Sequence, residues 1–307
     1  MHEARLFRYH QHDAKGRLQQ NYHESDERKY VSFISRSLSN FILTLVQKLY
    51  PLHLADKSWD NTGLLVDSST EDGNAEGCKI LLTVDLTQNV ADEAVATNSN
   101  VVIAYHPFIF RGLKSITPQD PQQKSLIKLI QNNISVYSPH TAVDSAKGGV
   151  NDFLADGILG QYKEKSRLVI QPDAKEEGCG MGRLVTLESG VSLAKIVANI
   201  KNSLALSHVQ VATARDHDLT LLVRTIAICA GSGGSVFKGT KADLYYTGEL
   251  SHHEALYFTE TGSSVVTCNH SNTERAFLKV LSKQLKTELP DAELVVSESD
   301  RDPFETW

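Results

Sequence analysis

The chain has 307 residues, 41% of them hydrophobic, enough to bury a large core in one elaborate domain or two lobes. Thirty-one Lys and Arg against 37 Asp and Glu leave a formal charge of −6, so nothing electrostatic points to nucleic acid, and no apolar run is long enough to span a bilayer. Cys78, Cys179, Cys229 and Cys268 form no C-x-x-C pair, which indicates reduced thiols in an intracellular protein and excludes a cysteine-based zinc site.

Residues 1–30 are polar, mixed in charge and poor in apolar groups, and read as a flexible tail. A mitochondrial presequence is poor in acidic residues, whereas this segment carries Glu3, Asp13, Glu24, Asp26 and Glu27. The expected compartment is the cytoplasm, with the mitochondrion as the alternative. Helical periodicity begins near Val31 and continues to Leu49, ahead of Pro51. Trp59–Gly63 is a turn into a strand at Leu64–Val66, Ser68–Gly77 a polar loop, and Lys79–Val84 the next strand.

After a helix between Asp85 and Asn98 comes Val101-Val102-Ile103-Ala104-Tyr105-His106-Pro107. This is a buried strand that should stop at His106, because proline lacks an N–H and forces extended geometry on its predecessor. A helix at Ser125–Asn132, a strand at Ile134–Tyr137 and a helix running to Leu159 follow. Gln161–Gly178 is charged and irregular and reads as the connection between lobes. Beyond it come a strand at Arg183–Leu187, an amphipathic helix at Ser192–Leu204, strands at Val209–Ala212 and Thr225–Cys229, a helix at Thr273–Leu289, and a last strand at Glu293–Val296. Strands alternating with helices of this length predict two similar α/β lobes, residues 31–165 and 166–307, each a mixed or largely parallel sheet flanked by helices.

An internal repeat gives the pattern chemical meaning. At an offset of 164 positions, Thr83-Val84-Asp85-Leu86 falls on Thr247-Gly248-Glu249-Leu250, Val101-Val102 falls on Val265-Val266, and His106 falls on His270. A lone histidine at a strand end is ordinarily a hydrogen-bonded core group. Two of them, delivered by equivalent strands, suggest one shared site. Glu274 lies four residues beyond His270 and is either a metal ligand or the far half of a Ser271-x-x-Glu274 capping box. Asp144, four beyond His140, is either a ligand or part of an Asx turn. Together His106, Asp144, His270 and Glu274 make a mixed nitrogen and oxygen donor set suited to zinc, iron or manganese. His253 and His140 are candidates for proton transfer, with a solvated helix start as the bland alternative around His252. Gly231-Ser232-Gly233-Gly234-Ser235 reads as an anion-binding turn or simply a tight strand-to-loop bend, and it lacks the P-loop pattern.

Six stretches together resemble the NIF-three-like family (Ngg-one-interacting factor three), whose members are also labelled dinuclear-metal or GTP cyclohydrolase type two-like proteins. They are Ser58–Val66, Tyr105–Arg111, His140–Asp152, Ala230–Ser235, Thr247–Ala255 and His270–Glu274, and Ser299–Pro303 looks like the family's eukaryotic branch. The resemblance implies a two-lobed α/β unit assembled into a toroidal homo-hexamer, with one or two divalent metal ions per chain facing the cavity. It implies His106, Asp144, His270 and Glu274 as ligands. Many bacterial members have histidine where this chain has Tyr105, so one nitrogen ligand is missing; a neutral phenol is a weak ligand, and Tyr105 is left as an additional ligand or a substrate contact. Two functions remain open. One is a metal-dependent hydrolase acting on a nucleotide-like or phosphorylated small molecule. The other is a non-enzymatic metal-binding assembly or regulatory protein acting through protein partners.

Overall fold

The structure is a computed structural model that describes residues 38–68, 77–215 and 217–305. The expected N-terminal tail, the helical residues before Leu38 and most of the Ser68–Gly77 loop lie outside them. The described residues form one compact unit, to which every described element belongs.

The first sheet is built from strands buried on both faces. Strands β2 (Lys79–Thr83), β3 (Val101–Ala104) and β4 (Ser135–Ser138) run parallel, and all four residues of β3 and of β4 are buried. Successive side chains alternate across the sheet. Ile80, Leu82, Val101 and Ile103 therefore enter one core and Leu81, Val102 and Ala104 the opposite one. That second core is closed by helices α2 (Gln88–Ala96) and α3 (Pro121–Gln131) through Val90, Ala94, Leu126 and Leu129. Strand β1 (Gly63–Val66) pairs antiparallel with β4.

The second sheet runs β5-β6-β8-β9-β10-β7, from β5 (Glu164–Pro172), β6 (Gly180–Ser192), β7 (Gln210–Ala212), β8 (Leu222–Ser232), β9 (Leu244–Glu249) and β10 (Ser264–Thr267). Its β8-β9-β10 centre is parallel, as is the centre of the first sheet. Each sheet was expected to be mixed or largely parallel; the first is largely parallel, and the second is mixed, with antiparallel pairs outside its parallel centre. The inward faces of the two sheets share one core with α1 (Leu38–Leu49), α5 (Val150–Leu159), α6 (Leu193–Leu204) and α9 (Leu278–Glu288). Helix α6 shows why: Leu193, Ile196, Ile200 and Leu204 recur at helical spacing and all are buried.

Three elements differ from the sequence reading. Residues 164–172, expected to be irregular, form the edge strand β5; its side chains, among them the apolar run Leu168-Val169-Ile170, are half-exposed or exposed, and its backbone is held by the ladder to β6. The final helix is two, α8 (Asn272–Arg275) and α9, separated at Ala276 and Phe277. Strand β11 (Glu293–Val296) crosses back to pair parallel with β2, so the chain's last strand completes the first sheet.

One buried cation pins the two sheets' connections together. Arg183 on β6, 2% exposed, donates to both carboxylate oxygens of Asp152 on α5 at 2.9 and 3.0 Å, and to the Gly180, Gly182 and Ala146 carbonyls. Removing the guanidinium takes a buried donor from three carbonyls and leaves Asp152 to Arg167 at 3.2 Å and the Gly148 N–H at 2.8 Å. Arg183→Leu is expected to cost about 3–5 kcal/mol, read as a lowered denaturant midpoint; a shift of under about 1 kcal/mol would show the cluster to be dispensable.

Candidate metal centre

The two repeat copies build the same device twice. Past the regular end of β3 the chain stays bonded to the β2 side, with the Tyr105 N–H on the Thr83 carbonyl at 2.9 Å and the His106 N–H on the Val84 carbonyl at 3.1 Å. This places His106 beside Asp85, and His106 Nδ1 lies 2.8 Å from Asp85 Oδ1. At the corresponding ends of β9 and β10, His270 Nδ1 lies 2.8 Å from Glu249 Oε1, again 21 residues apart. A carboxylate on Nδ1 holds the proton there, so each imidazole offers its Nε2 lone pair to a cation.

Both Nε2 atoms face one carboxylate. Glu274, 3% exposed on α8, lies with Oε2 3.2 Å from His106 Nε2 and Oε1 3.5 Å from His270 Nε2. His106 Nε2 and Glu274 Oε2 are shielded from solvent, yet neither has a hydrogen-bond partner. Orphaned buried donors of this kind are costly unless a further group joins them. Among the described residues, the donor atoms of His106, His270 and Glu274 lie within 4.8 Å of one another. The set fits a divalent cation. The capping alternative for Glu274 is not realised, since Ser271 makes no side-chain cap bond to α8.

Gly231 makes this approach feasible. Its φ is +60°, and a Cβ there would stand 2.9 Å from Glu274 Oε1 and 3.0 Å from His270 Nε2. Any side chain would fill the space between the donors. Of the stretch Gly231, Ser232, Gly233, Gly234 and Ser235, the first amide is already taken, since the Gly231 N–H donates to Thr273 Oγ1 at 2.9 Å.

Asp144 and Tyr105 lie beside the triad and engage each other. The Tyr105 hydroxyl donates to Asp144 on α4 (Thr141–Ser145). Burial pushes Tyr105 well above the ordinary phenol range, and it raises Asp144 to about 6. At His106 burial works the other way, disfavouring the cation, but the charges of Glu274 and Asp85 and the hydrogen bond to Asp85 prevail and hold the imidazole at about 10.

His140 comes to the site with an orienting partner. Its Nδ1 lies 2.8 Å from Asp60 Oδ1, and its ring centre is 5.4 Å from that of His106. The Asp60 side chain is fully shielded, and its contacts with His140, Thr141 and Asn61 hold its pKa below the usual carboxylate range against the cost of burial. The His140 backbone has φ +34°, a strained value for a residue with a Cβ. His253 is placed differently. It is exposed on α7 (His252–Glu260), edge-on to His252, at a helix start capped by Ser251 and Glu254.

Sequence reasoning assigned no role to Asp60, Asp85, Glu249 or the closing turn. Asp85 and Glu249 were legible in principle, because the repeat aligns them at equal distance from the two histidines. The closing turn braces both halves. Asp300, 7% exposed, accepts the Val84 N–H at 2.8 Å and pairs with Arg275 at 3.1 Å; Asp302 accepts from Ser271 Oγ at 2.9 Å. Each anchor is next in sequence to a donor or its orienting carboxylate. A cleft of about 280 Å³ opens over this arrangement, lined by Asp85, His106, Glu249, His270 and Asp302.

Residues 38–303 match the model of the family described as Duf34/NIF3 (NGG1p interacting factor 3). The chain is 48% identical over 283 residues to the NGG1-interacting factor 3 of Saccharomyces cerevisiae, covering 88% of this chain and 98% of that one. It is 45% identical to the protein NIF3 homolog of Schizosaccharomyces pombe, with the same coverage. In three dimensions it resembles the Bacillus cereus protein related to NIF3, with a TM-score of 0.75 at 22% identity over 88% of this chain and 99% of that one. The strand-end histidines, their carboxylates and Glu274 thus sit within the matched span, and the chain belongs to the Duf34/NIF3 family.

Proposed function

We propose that this chain is a divalent-metal protein that hydrolyses a phosphorylated or nucleotide-like small molecule. The observation that carries the proposal is the pair of shielded atoms, His106 Nε2 and Glu274 Oε2, which face each other at 3.2 Å without hydrogen-bond geometry, with His270 Nε2 3.5 Å from the other Glu274 oxygen. His106, His270 and Glu274 would hold the cation, with Asp85 and Glu249 orienting the two imidazoles. When bound, a cation of this class acidifies water and polarises an electrophilic oxygen. His140, its Nδ1 engaged by Asp60, has Nε2 left to accept a proton from an incoming nucleophile. Tyr105 holds Asp144 in place and can offer its hydroxyl oxygen to a ligand. The proposal includes the toroidal homo-hexamer implied by the family resemblance.

Cation binding has a proton signature. Because the metal-free fold holds His106 protonated up to about 10, a cation must displace that proton at pH 7.5. Calorimetric titration with Zn²⁺ or Mn²⁺ in buffers of different ionisation enthalpy is expected to show about one proton released per site. The linked stability has the matching sign. A pKa raised from 6.5 to about 10 stabilises the metal-free fold fully below 6.5, and that contribution fades as pH rises through 10. Heat of binding independent of buffer would show that the His106 imidazole is already neutral at the titration pH in the metal-free fold.

Turnover is tested by screening metabolites against metal-loaded and metal-stripped protein. A product formed only by the loaded protein supports the hydrolase. The yeast relative is named an NGG1-interacting factor, which favours a second reading, a metal-stabilised partner of another protein. Retained metal with no turnover across phosphorylated and nucleotide-like compounds selects that reading.

A further inference from the structure

We propose that Arg301 anchors a phosphoryl group of the ligand that this centre takes, so that the ligand carries a phosphate close to the reacting end. The inference rests on the metal-centre reading and sharpens its substrate class.

Arg301 is exposed and lines a second cleft of about 370 Å³ together with Asp85, His106, Pro107 and Pro303. His106 and Asp85 also line the cleft over His270, so the two openings meet at the same histidine. Flexible surface arginines are common. This one is different because both its neighbours are fixed: Asp300 is tied to the Val84 amide and Arg275, and Asp302 to Ser271 and Asn269. The Arg301 backbone is therefore anchored from both sides beside the donors, while its guanidinium forms no hydrogen bond or ion pair with any described residue. Arg275, the neighbouring arginine, is already spent on Asp300.

The charges in this cleft select the ligand. Asp85 is its one acidic side chain among the described residues, and an Asp85 oxygen is committed to His106. A cation at His106 and a free guanidinium opening on one space make it favourable for a dianion. Arginine's planar fork takes two oxygens of a tetrahedral phosphoryl group and leaves the rest of that group free to face the metal. Leu86, Pro107 and Phe108 supply apolar wall for the remainder of a small molecule.

The test titrates inorganic phosphate by calorimetry into the full chain, Mn²⁺-loaded and metal-stripped, for wild type, Arg301→Gln and Arg301→Lys, with acetate as the planar control. Arg301→Gln is expected to weaken phosphate binding by about ten- to a hundredfold with unchanged metal content. Arg301→Lys should recover part of the loss, and acetate should be little affected. Equal phosphate affinity in wild type and Arg301→Gln overturns the assignment, as does failure of wild type to bind phosphate in either state. An equal loss for acetate overturns the phosphoryl choice in favour of a carboxylate. Arg301-dependent phosphate binding by a protein that takes up no metal upholds the anchor and overturns the metal reading instead.

Discussion

Glu274→Gln is expected to empty the metal centre while leaving the fold in place. Glutamine matches glutamate in size and keeps an oxygen where one is needed, but it removes the negative charge that a divalent cation requires. The carboxylate is 3% exposed and faces the Nε2 atoms of both His106 and His270. Its charge has no other outlet among the described residues, because the α8 cap it might have served is not formed. Changing a group that only orients a ligand typically costs ten- to a hundredfold in metal affinity, so loss of the shared carboxylate should exceed about a hundredfold. The metal-free protein should lose part of the stability that the His106 proton contributes near neutral pH, because Glu274 is a main cause of that raised pKa. The proton that Glu274 helps to hold on His106 can leave once the charge is gone, so no unpaired ion is stranded. Elemental analysis of protein purified without added metal checks the first part, and a thermal melt of the stripped protein checks the second. Wild-type metal content in a folded variant would show that Glu274 faces the histidines without serving a cation.

How much of this was readable from residues alone differs by element. Strands β2 and β3 were plain because central parallel strands are apolar throughout and stop at recognisable signals, here Asp85 and Pro107. The repeat exposed the pairing of His106 with His270, since two copies of one half-unit must deliver equivalent residues to equivalent strand ends. Strand β5 was hidden because its short apolar run, Leu168-Val169-Ile170, is flanked by the charged Glu164–Arg167 and by Pro172 in a charged stretch, and its backbone ladder to β6 reveals it. Strand β11 was recognised as a strand, but its return to β2 was not, because pairing over more than two hundred residues leaves no local pattern. Asp60 escaped for the same reason: it meets His140 eighty residues away, and a turn containing Trp59-Asp60-Asn61 explains itself locally. Glu274 read as either a ligand or a cap, and the fold turns its carboxylate toward the histidines.

The family resemblance implies that many bacterial members carry histidine where this chain has Tyr105, and Tyr105→His is expected to raise bound metal toward two per chain. Neighbouring residues on a regular strand face opposite sides, yet Tyr105 and His106 both serve the site. The chain has left strand geometry by then, since β3 ends at Ala104, and their ring centres stand 5.5 Å apart. In the wild type the Tyr105 hydroxyl spends itself on Asp144, and burial keeps the phenol from ionising, so this position supplies neither a lone pair on nitrogen nor a charge. Asp144 is occupied by that same bond and stands outside the set of His106, His270 and Glu274 whose donor atoms converge. A histidine is shorter than tyrosine and would free the Asp144 oxygen while offering a nitrogen toward it, leaving room between them for a second cation. Glu274, with two oxygens, can serve both. Competition against a chelating dye, run on wild type and variant, should then resolve a second, weaker site only in the variant. Unchanged stoichiometry with altered turnover would instead make the Tyr105 hydroxyl a contact for the substrate. A variant that matches wild type in both measurements would mean that Tyr105 merely fills the space beside Asp144 and that the metal count is set elsewhere.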